Sequence, residues 1–260
     1  MKTVGFIGFG KMAMAIVEGW RHCGLNQELD IFAYAPNQTK LIMNCQALGV
    51  TPCASLEEVC EKAQTIILAC KPYQIENVLS SISNELHNKL VICLAAGINY
   101  KKLQAWIPST HHVSIMPNTA MAVCAGIAIV EKTHSMNAQD EETFQFLFHP
   151  LALIEPVEAS LFGIAGTISG CSPAFLGLYA EALADAGVKY GLSRPVAQRL
   201  AARAIYGAGA MLNVEEREPA IFKNEICSPG GTTIKGIVAL EKAGFRKAVI
   251  EAIEAIEENK

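Results

Sequence analysis

The sequence predicts an α/β protein in two parts: a doubly wound parallel sheet over residues 1–157 and an all-α domain over 158–260. Three observations carry this. Short apolar runs alternate with amphipathic stretches from Val4 to about residue 115, the first run opens into Gly8-Phe9-Gly10, and beyond Val157 the periodicity is helical almost throughout. Runs of five or six apolar residues suit buried parallel strands, and strands separated by helices imply right-handed crossovers.

Taken in order, strands are expected at 3–8, 30–35, 65–70, 89–94 and 111–115, with helices at 11–23, 37–48, 55–62, 73–86 and 99–105. Gly126–Val130 and Leu151–Ile154 read as further strands around a helix from Asn137 to Phe148. The later helices are punctuated by Gly191 and Pro195, by Pro219, by Pro229-Gly230-Gly231 and by Gly244. Their faces are too apolar for about a hundred residues to bury alone, so a subunit interface is expected there.

Composition bounds the function. Of 260 residues, 51% are hydrophobic and 18% charged, which guarantees a core and excludes disordered and collagen-like chains. Mean hydropathy is +0.27, and residues 159–180 hold no Asp, Glu, Lys, Arg or His. A membrane span wants about 20 predominantly apolar residues. This run carries Gly163, Gly166, Gly170, Gly177 and Pro173 among its Ser and Thr, and reads instead as a buried helix with its entry loop. A net charge of −4 and a pI near 5.9 give no basic footprint for nucleic acid or anionic lipid, so the expected partner is a small molecule. Nine cysteines without metal or redox spacing read as free thiols in a reducing compartment. The N-terminus breaks into glycine too early for a signal peptide, so the expected location is the cytoplasm.

The motif with the clearest chemistry is Gly8-Phe9-Gly10-Lys11-Met12-Ala13, set between a strand and an amphipathic helix. Gly8 allows the tight turn, Gly10 lets the backbone approach a pyrophosphate, and Ala13 allows close helix packing. Amides of the helix start face the phosphates. This makes the first domain Rossmann-type. No acid ends the second strand, Ile31 to Ala35, where one would hold the ribose hydroxyls of NAD; Asn37 and Lys40 follow it. The expected cofactor is NADP(H), with NAD(H) possible.

Ligands of open parallel sheets bind beyond the carboxyl ends of the strands. Ala69 with Cys70-Lys71-Pro72, and Ala95 with Gly97, occupy two such ends. Lys71 reads either as a cofactor contact or as an ordinary loop charge. Asn118, in Met116-Pro117-Asn118-Thr119, reads either as an amide that orients ligand or as an Asx turn. In the helical domain, Ser228-Pro229-Gly230-Gly231-Thr232-Thr233 precedes a helix and suits an anion such as a carboxylate. The alternative is a glycine turn with Thr as helix N-cap. The six histidines show no nucleophile-base or metal spacing.

These blocks, with Glu181-Ala182-Leu183-Ala184-Asp185-Ala186-Gly187-Val188-Lys189 and Leu240-Glu241 before Gly244-Phe245-Arg246, resemble the pyrroline-5-carboxylate reductase family from residue 3 to about 253. The resemblance implies reduction of the cyclic imine 1-pyrroline-5-carboxylate to L-proline by NAD(P)H. It also implies a homodimer or higher homo-oligomer built through the C-terminal helices. By it, Gly8, Gly10, Lys11, Met12, Ala13, Ala69, Lys71, Pro72, Ala95 and Gly97 hold the cofactor, while Ser228, Thr232 and Thr233 hold the substrate carboxylate; from their own positions Ala35 and Asn37 are expected beside the cofactor and Asn118 beside the substrate. Ser114 and Ala120 depart from the family's Arg and Pro, and Gly166 falls where the family carries a Thr near the imine nitrogen. Its neighbour Thr167 is then the expected catalytic residue. A β-hydroxyacid dehydrogenase is the rival enzyme; its helical Lys is followed one turn later by Asn, whereas Lys189 leads to Ser193. A cofactor-binding paralogue without turnover is the non-enzyme alternative.

Overall fold

The computed structural model describes residues 1–214 and 218–258, with two compact units, Met1–Gly170 and Cys171–Lys260. The first unit alternates β1 (Lys2–Ile7), α1 (Lys11–His22), β2 (Leu29–Tyr34), α2 (Gln38–Leu48), β3 (Thr51–Pro52), α3 (Leu56–Lys62), β4 (Thr65–Leu68), α4 (Ile75–Ser81), β5 (Leu90–Cys93), α5 (Tyr100–Trp106) and β6 (His111–Pro117). It continues through β7 (Gly126–Glu131), α6 (Ala138–Phe148) and β8 (Ala152–Val157). The sheet order is β3-β2-β1-β4-β5-β6-β7-β8.

Two features of the sheet differ from the sequence expectation, and the helix expected over 73–86 is shorter, α4 ending at Ser81. Residues Thr51–Pro52 add a two-residue edge strand, too short to leave a periodic signal. The sheet is also mixed: β6 and β7 pair antiparallel, so β7 and β8 run against the other six strands. The reason is the short stretch Asn118–Ala125 joining β6 to β7. A parallel return needs a crossover of a dozen or more residues, and this stretch is shorter. Its tight turn is closed by Cys124 N–H and Ala125 N–H on the carbonyls of Met121 and Ala120, at 3.0 and 3.2 Å.

Helices cover both faces of the sheet and make two cores. On one face Val4, Phe6, Ile67, Ile92, Val113 and Val130 meet α1, α2 and α6 around the buried Trp20. The Trp20 indole N–H donates to the Leu147 carbonyl at 2.7 Å, so this largest core side chain leaves no polar group unpaired. On the other face Ile7, Ile66, Leu68 and Val91 meet α3, α4 and α5. The strands are apolar on both faces because both faces are covered.

The last strand runs three residues past its expected end at Ile154, to Val157, where the domain boundary is expected, but the compact units divide later, at Gly170–Cys171. The first turns of α7 (Phe162–Lys189) pack as part of the first unit: Phe162, Thr167 and Ser169 are buried there. All but the first three residues of the charge-free run thus lie in one continuous 28-residue helix, which has Pro173 inside it and runs on through Glu181, Asp185 and Lys189. It is not the buried helix that its composition suggests, since Leu176, Leu178 and Leu183 are exposed on this chain. No helix among the described residues is long and apolar enough to cross a membrane.

The second unit continues with α8 (Arg194–Val214), α9 (Pro219–Ile226), α10 (Thr232–Lys242) and α11 (Phe245–Glu257). Each break falls at expected punctuation: Gly191 at φ +96° after α7, Pro219 at the first position of α9, and Gly244 at φ +77° before α11.

Candidate functional site

The turn after β1 is built for close approach. Gly8 sits at φ +90° and its N–H donates to the Tyr34 carbonyl at 2.8 Å. A Cβ there would lie 2.6 Å from the Cys70 backbone nitrogen and 2.7 Å from the Ala69 carbonyl carbon. Both the left-handed backbone and the contact with the end of β4 therefore require glycine. Gly10 caps α1 with no side-chain bond, a Cβ on it would meet open space, and no acid occupies the first turn of the helix. The amides at the start of α1 are left to face an incoming anion. Lys11 is exposed, Met12 half-buried and Ala13 fully buried against the sheet.

One side chain holds this turn and a second ties together the chain just beyond β2 and β3 beside it; sequence reasoning missed both. The Asn44 amide donates to the Phe9 carbonyl at 3.2 Å, and Gln38 donates to the Ala35 carbonyl at 3.1 Å and the Cys53 carbonyl at 3.4 Å. Both lie on α2: Asn44 reaches back 35 positions to Phe9, and Gln38, only three residues past Ala35, also reaches 15 positions on to Cys53, spacings that no motif announces. Asn37 accepts from Lys40 N–H at 3.0 Å and is the N-cap of α2; Lys40 is exposed. Asp30 faces solvent at the opposite end of β2, where it cannot act on a ribose beyond Tyr34.

The neighbouring strand ends complete the rim. Ala69 N–H donates to the Ile7 carbonyl at 2.8 Å, which aligns the end of β4 with the glycine turn. Lys71 and Pro72 are exposed, and Lys71 N–H donates to the Gln74 side chain at 3.1 Å. Ala95 is buried, and Gly97 turns at φ +75° with its carbonyl held by Lys102 Nζ at 2.8 Å. Behind this turn the buried Glu131 accepts from Tyr100 N–H at 2.6 Å, and the Tyr100 ring stacks on His112 at 5.2 Å. Burial pushes the Glu131 carboxyl above its ordinary value, against the pull of the Tyr100 amide, and burial pulls His112 below its own.

Asn118 is buried and spans two elements. Its Oδ1 accepts from Ile127 N–H at 3.2 Å and its Nδ2 donates to the Ser169 carbonyl at 3.0 Å. Pro173 has no N–H to offer the carbonyl four residues earlier, which is that of Ser169. The Asn118 amide therefore supplies the donor that α7 lacks. Two of its polar groups are committed to structure, beyond the Asx turn weighed above.

The neighbouring position 166 is filled from across the unit: a Cβ on Gly166 would lie 2.4 Å from Met116 Cε and 2.6 Å from its sulfur. The Thr167 hydroxyl is buried and donates to the Gly163 carbonyl at 3.3 Å within its own helix.

In the second unit, Ser228, Pro229, Gly230, Thr232 and Thr233 are exposed, Gly230 turns at φ +72°, and Gly231 N–H donates to the Ser228 carbonyl at 3.0 Å. The N-cap of α10 is Gly231, with no side-chain cap and no acid in the first turn. The reading of Thr as N-cap is thereby excluded. Two threonines stand at the first positions of an 11-residue helix with its N-terminal amides open.

Comparison with known proteins places these features in a family. Residues 159–260 match the family model for pyrroline-5-carboxylate reductase dimerisation, and residues 3–97 match that for NADP oxidoreductase coenzyme F420-dependent. The pyrroline-5-carboxylate reductase of Treponema pallidum (strain Nichols) is 42% identical over 258 residues, covering 97% of this chain and 98% of the relative. The chain belongs to the pyrroline-5-carboxylate reductase family. A crystal structure of the Plasmodium falciparum pyrroline carboxylate reductase with NADP bound superposes with a TM-score of 0.83 at 32% identity, covering 99% of this chain and 96% of that one. The enzyme from Pisum sativum is 32% identical over 254 residues, covering 97% and 93%. Family membership over the whole length displaces the β-hydroxyacid dehydrogenase reading, and the start of the dimerisation match at 159 falls beside the expected boundary at 157/158.

Proposed function

We propose that this chain reduces the C=N bond of 1-pyrroline-5-carboxylate to give L-proline, with NADPH preferred to NADH as hydride source. The observation that carries the reading is the full-length match at 42% identity to a reductase of that name. The chain keeps both a glycine turn fit for a dinucleotide and a helix start fit for a carboxylate.

A bound dihydronicotinamide supplies the hydride. The turn from Gly8 to Ala13 binds its pyrophosphate through the amides at the start of α1, where Gly10 leaves room for close approach. Ala35 and Asn37 border the ribose, and the absence of an acid after β2 removes repulsion of a 2′-phosphate, with Lys40 nearby in sequence. Ala69, Lys71, Pro72, Ala95 and Gly97 form the rim along the ends of β4 and β5. Ser228, Thr232 and Thr233 hold the substrate carboxylate with the N-terminal amides of α10. A protonated imine is already electrophilic, so the residues supply position and exclude water more than they move protons. Asn118 acts by holding α7 on the sheet, and no proton is assigned to Thr167.

Steady-state reduction of pyrroline-5-carboxylate with each cofactor tests this. Oxidation of NADPH with a higher kcat/KM than NADH is expected; binding of either cofactor without imine reduction would instead establish the paralogue without turnover. Thr233→Val should raise KM for the imine about 10-fold or more, as the loss of a hydrogen bond to a charged group implies, and leave cofactor affinity unchanged. An equal effect on both would end the carboxylate assignment.

A further inference from the structure

Cys23 and Cys124 lie 101 positions apart in the chain and meet at one carbonyl. Cys23 closes the C-terminal end of α1, its N–H donating to the Gly19 carbonyl at 3.0 Å. Cys124 ends the short helical turn Thr119–Val123, and its thiol donates to the same Gly19 carbonyl at 3.5 Å. The Cys23 thiol donates to the next carbonyl along the helix, that of Trp20, at 3.5 Å, so the two thiols sit on adjacent carbonyls at one helix end. Among the described residues only Asn88 and Cys124 are non-glycine residues with positive φ, and Cys124 sits at +55°. Asn adopts that conformation with little difficulty, whereas a cysteine there carries steric strain that glycine would avoid. The chain accepts this strain and brings the Cys124 sulfur to the same helix end that carries the Cys23 sulfur. The other buried cysteines, Cys45, Cys53, Cys60 and Cys93, belong to the core, but Cys23 is exposed and Cys124 half-buried.

We propose that Cys23 and Cys124 are a thiol–disulfide modification site whose reactant is a small-molecule disulfide. The exposed Cys23 thiolate attacks one sulfur of that disulfide, forming a mixed disulfide and releasing one small thiolate. Cys124, deprotonated, then attacks the Cys23 sulfur and expels the second small thiol. One small disulfide is reduced to two thiols while two protein thiols become one disulfide, so electrons and protons balance without a further oxidant. Cys23 is exposed and Cys124 half-buried, which makes Cys23 the first attacker, and burial also pushes the Cys124 thiol up. The resulting bond ties the far end of the cofactor-binding helix α1 to the β6–β7 connection. It closes about a hundred residues of chain, a loop long enough for a sizeable restriction of the unfolded state.

The test is incubation of the full-length native protein with oxidised glutathione, followed by alkylation and peptide mapping. The expected result is one intramolecular link between the Cys23 and Cys124 peptides, loss of two of the nine thiols, and a higher melting temperature that reverts with reductant. Cys124→Ser should stop at a glutathione adduct on Cys23, and Cys23→Ser should leave Cys124 as a free thiol. Separate alkylation of Cys124 in wild-type protein already glutathionylated at Cys23 would overturn the proposal, as would a Cys23 link to a second chain. Mapping the wild type decides the question even where a variant folds poorly.

Discussion

At the scale of single residues, the site depends on groups that bind nothing themselves. Asn118 reads from sequence as a ligand contact or a turn, and neither reading could include the missing N–H of Pro173, because the two residues are 55 positions apart. The structure joins them through the Ser169 carbonyl. Asn118→Ala should therefore leave a buried carbonyl and the Ile127 amide unpaired and lower stability by about 1 to 3 kcal/mol, measured by denaturant unfolding. Asn118→Asp keeps the acceptor for Ile127 but buries a carboxylate against the Ser169 carbonyl, so at about pH 7 it should destabilise at least as much as Asn118→Ala. At Gly8, whose role was legible from its motif, the cost has two sources: φ of +90° and backbone atoms within 2.8 Å of any Cβ. Gly8→Ala should abolish dinucleotide binding in a direct fluorescence titration and destabilise the fold by at least about 2 kcal/mol. Thr167→Val should alter stability while leaving kcat within about 2-fold, since its hydroxyl already serves its own helix.

At the scale of elements, periodicity announces faces and lengths but not strand direction. That is why β1, β2 and β4 to β6 are legible while the reversal at β7 is not: the apolar run Gly126–Val130 reads the same in either sense. Helix breaks were equally legible because Gly and Pro act locally, as at Gly191, Pro219 and Gly244. The junction of β7 with α5 carries a pH dependence that composition could not reveal. Glu131 is buried on the Tyr100 amide, with His112 stacked on Tyr100 and Lys101 next along α5 supplying the nearby positive charge. Its folded pKa lies above the unfolded one, so the folded state binds the extra proton and stability falls as pH rises through that interval. Above it the full penalty of the buried charge is present. Glu131→Gln keeps an acceptor for Tyr100 and removes the charge, so it should raise the melting temperature at about pH 7 to 8 and leave it nearly unchanged at about pH 4. A loss of stability at neutral pH would show that the charge-assisted bond outweighs burial.

At the scale of the whole molecule, the excess of apolar residues finds its explanation in what the single chain leaves uncovered. Leu176, Leu178, Leu200, Ile221, Ile226, Val249 and Ile250 are all exposed in the second unit, and Leu178 is 69% exposed. Scattered apolar residues on a surface need no account, but this unit repeats them along α7, α8, α9 and α11, and the unit matches a dimerisation domain. From residue 171 on, the charge-free stretch leaves Leu176 and Leu178 exposed, an apolar helix face suited to a second copy of the chain. Burying one leucine side chain is worth about 1.5 to 3 kcal/mol, and an aspartate in its place adds a charge with no partner. Leu178→Asp is therefore expected to weaken self-association by at least about 30-fold, read by sedimentation equilibrium as a shift toward monomer at micromolar protein. Leu153→Asp, an equally apolar change on the edge strand β8 of the first unit, where Leu153 is 55% exposed, should leave the assembly state unchanged. Equal weakening by both would move the interface to the sheet edge, and no weakening by Leu178→Asp would take α7 out of it.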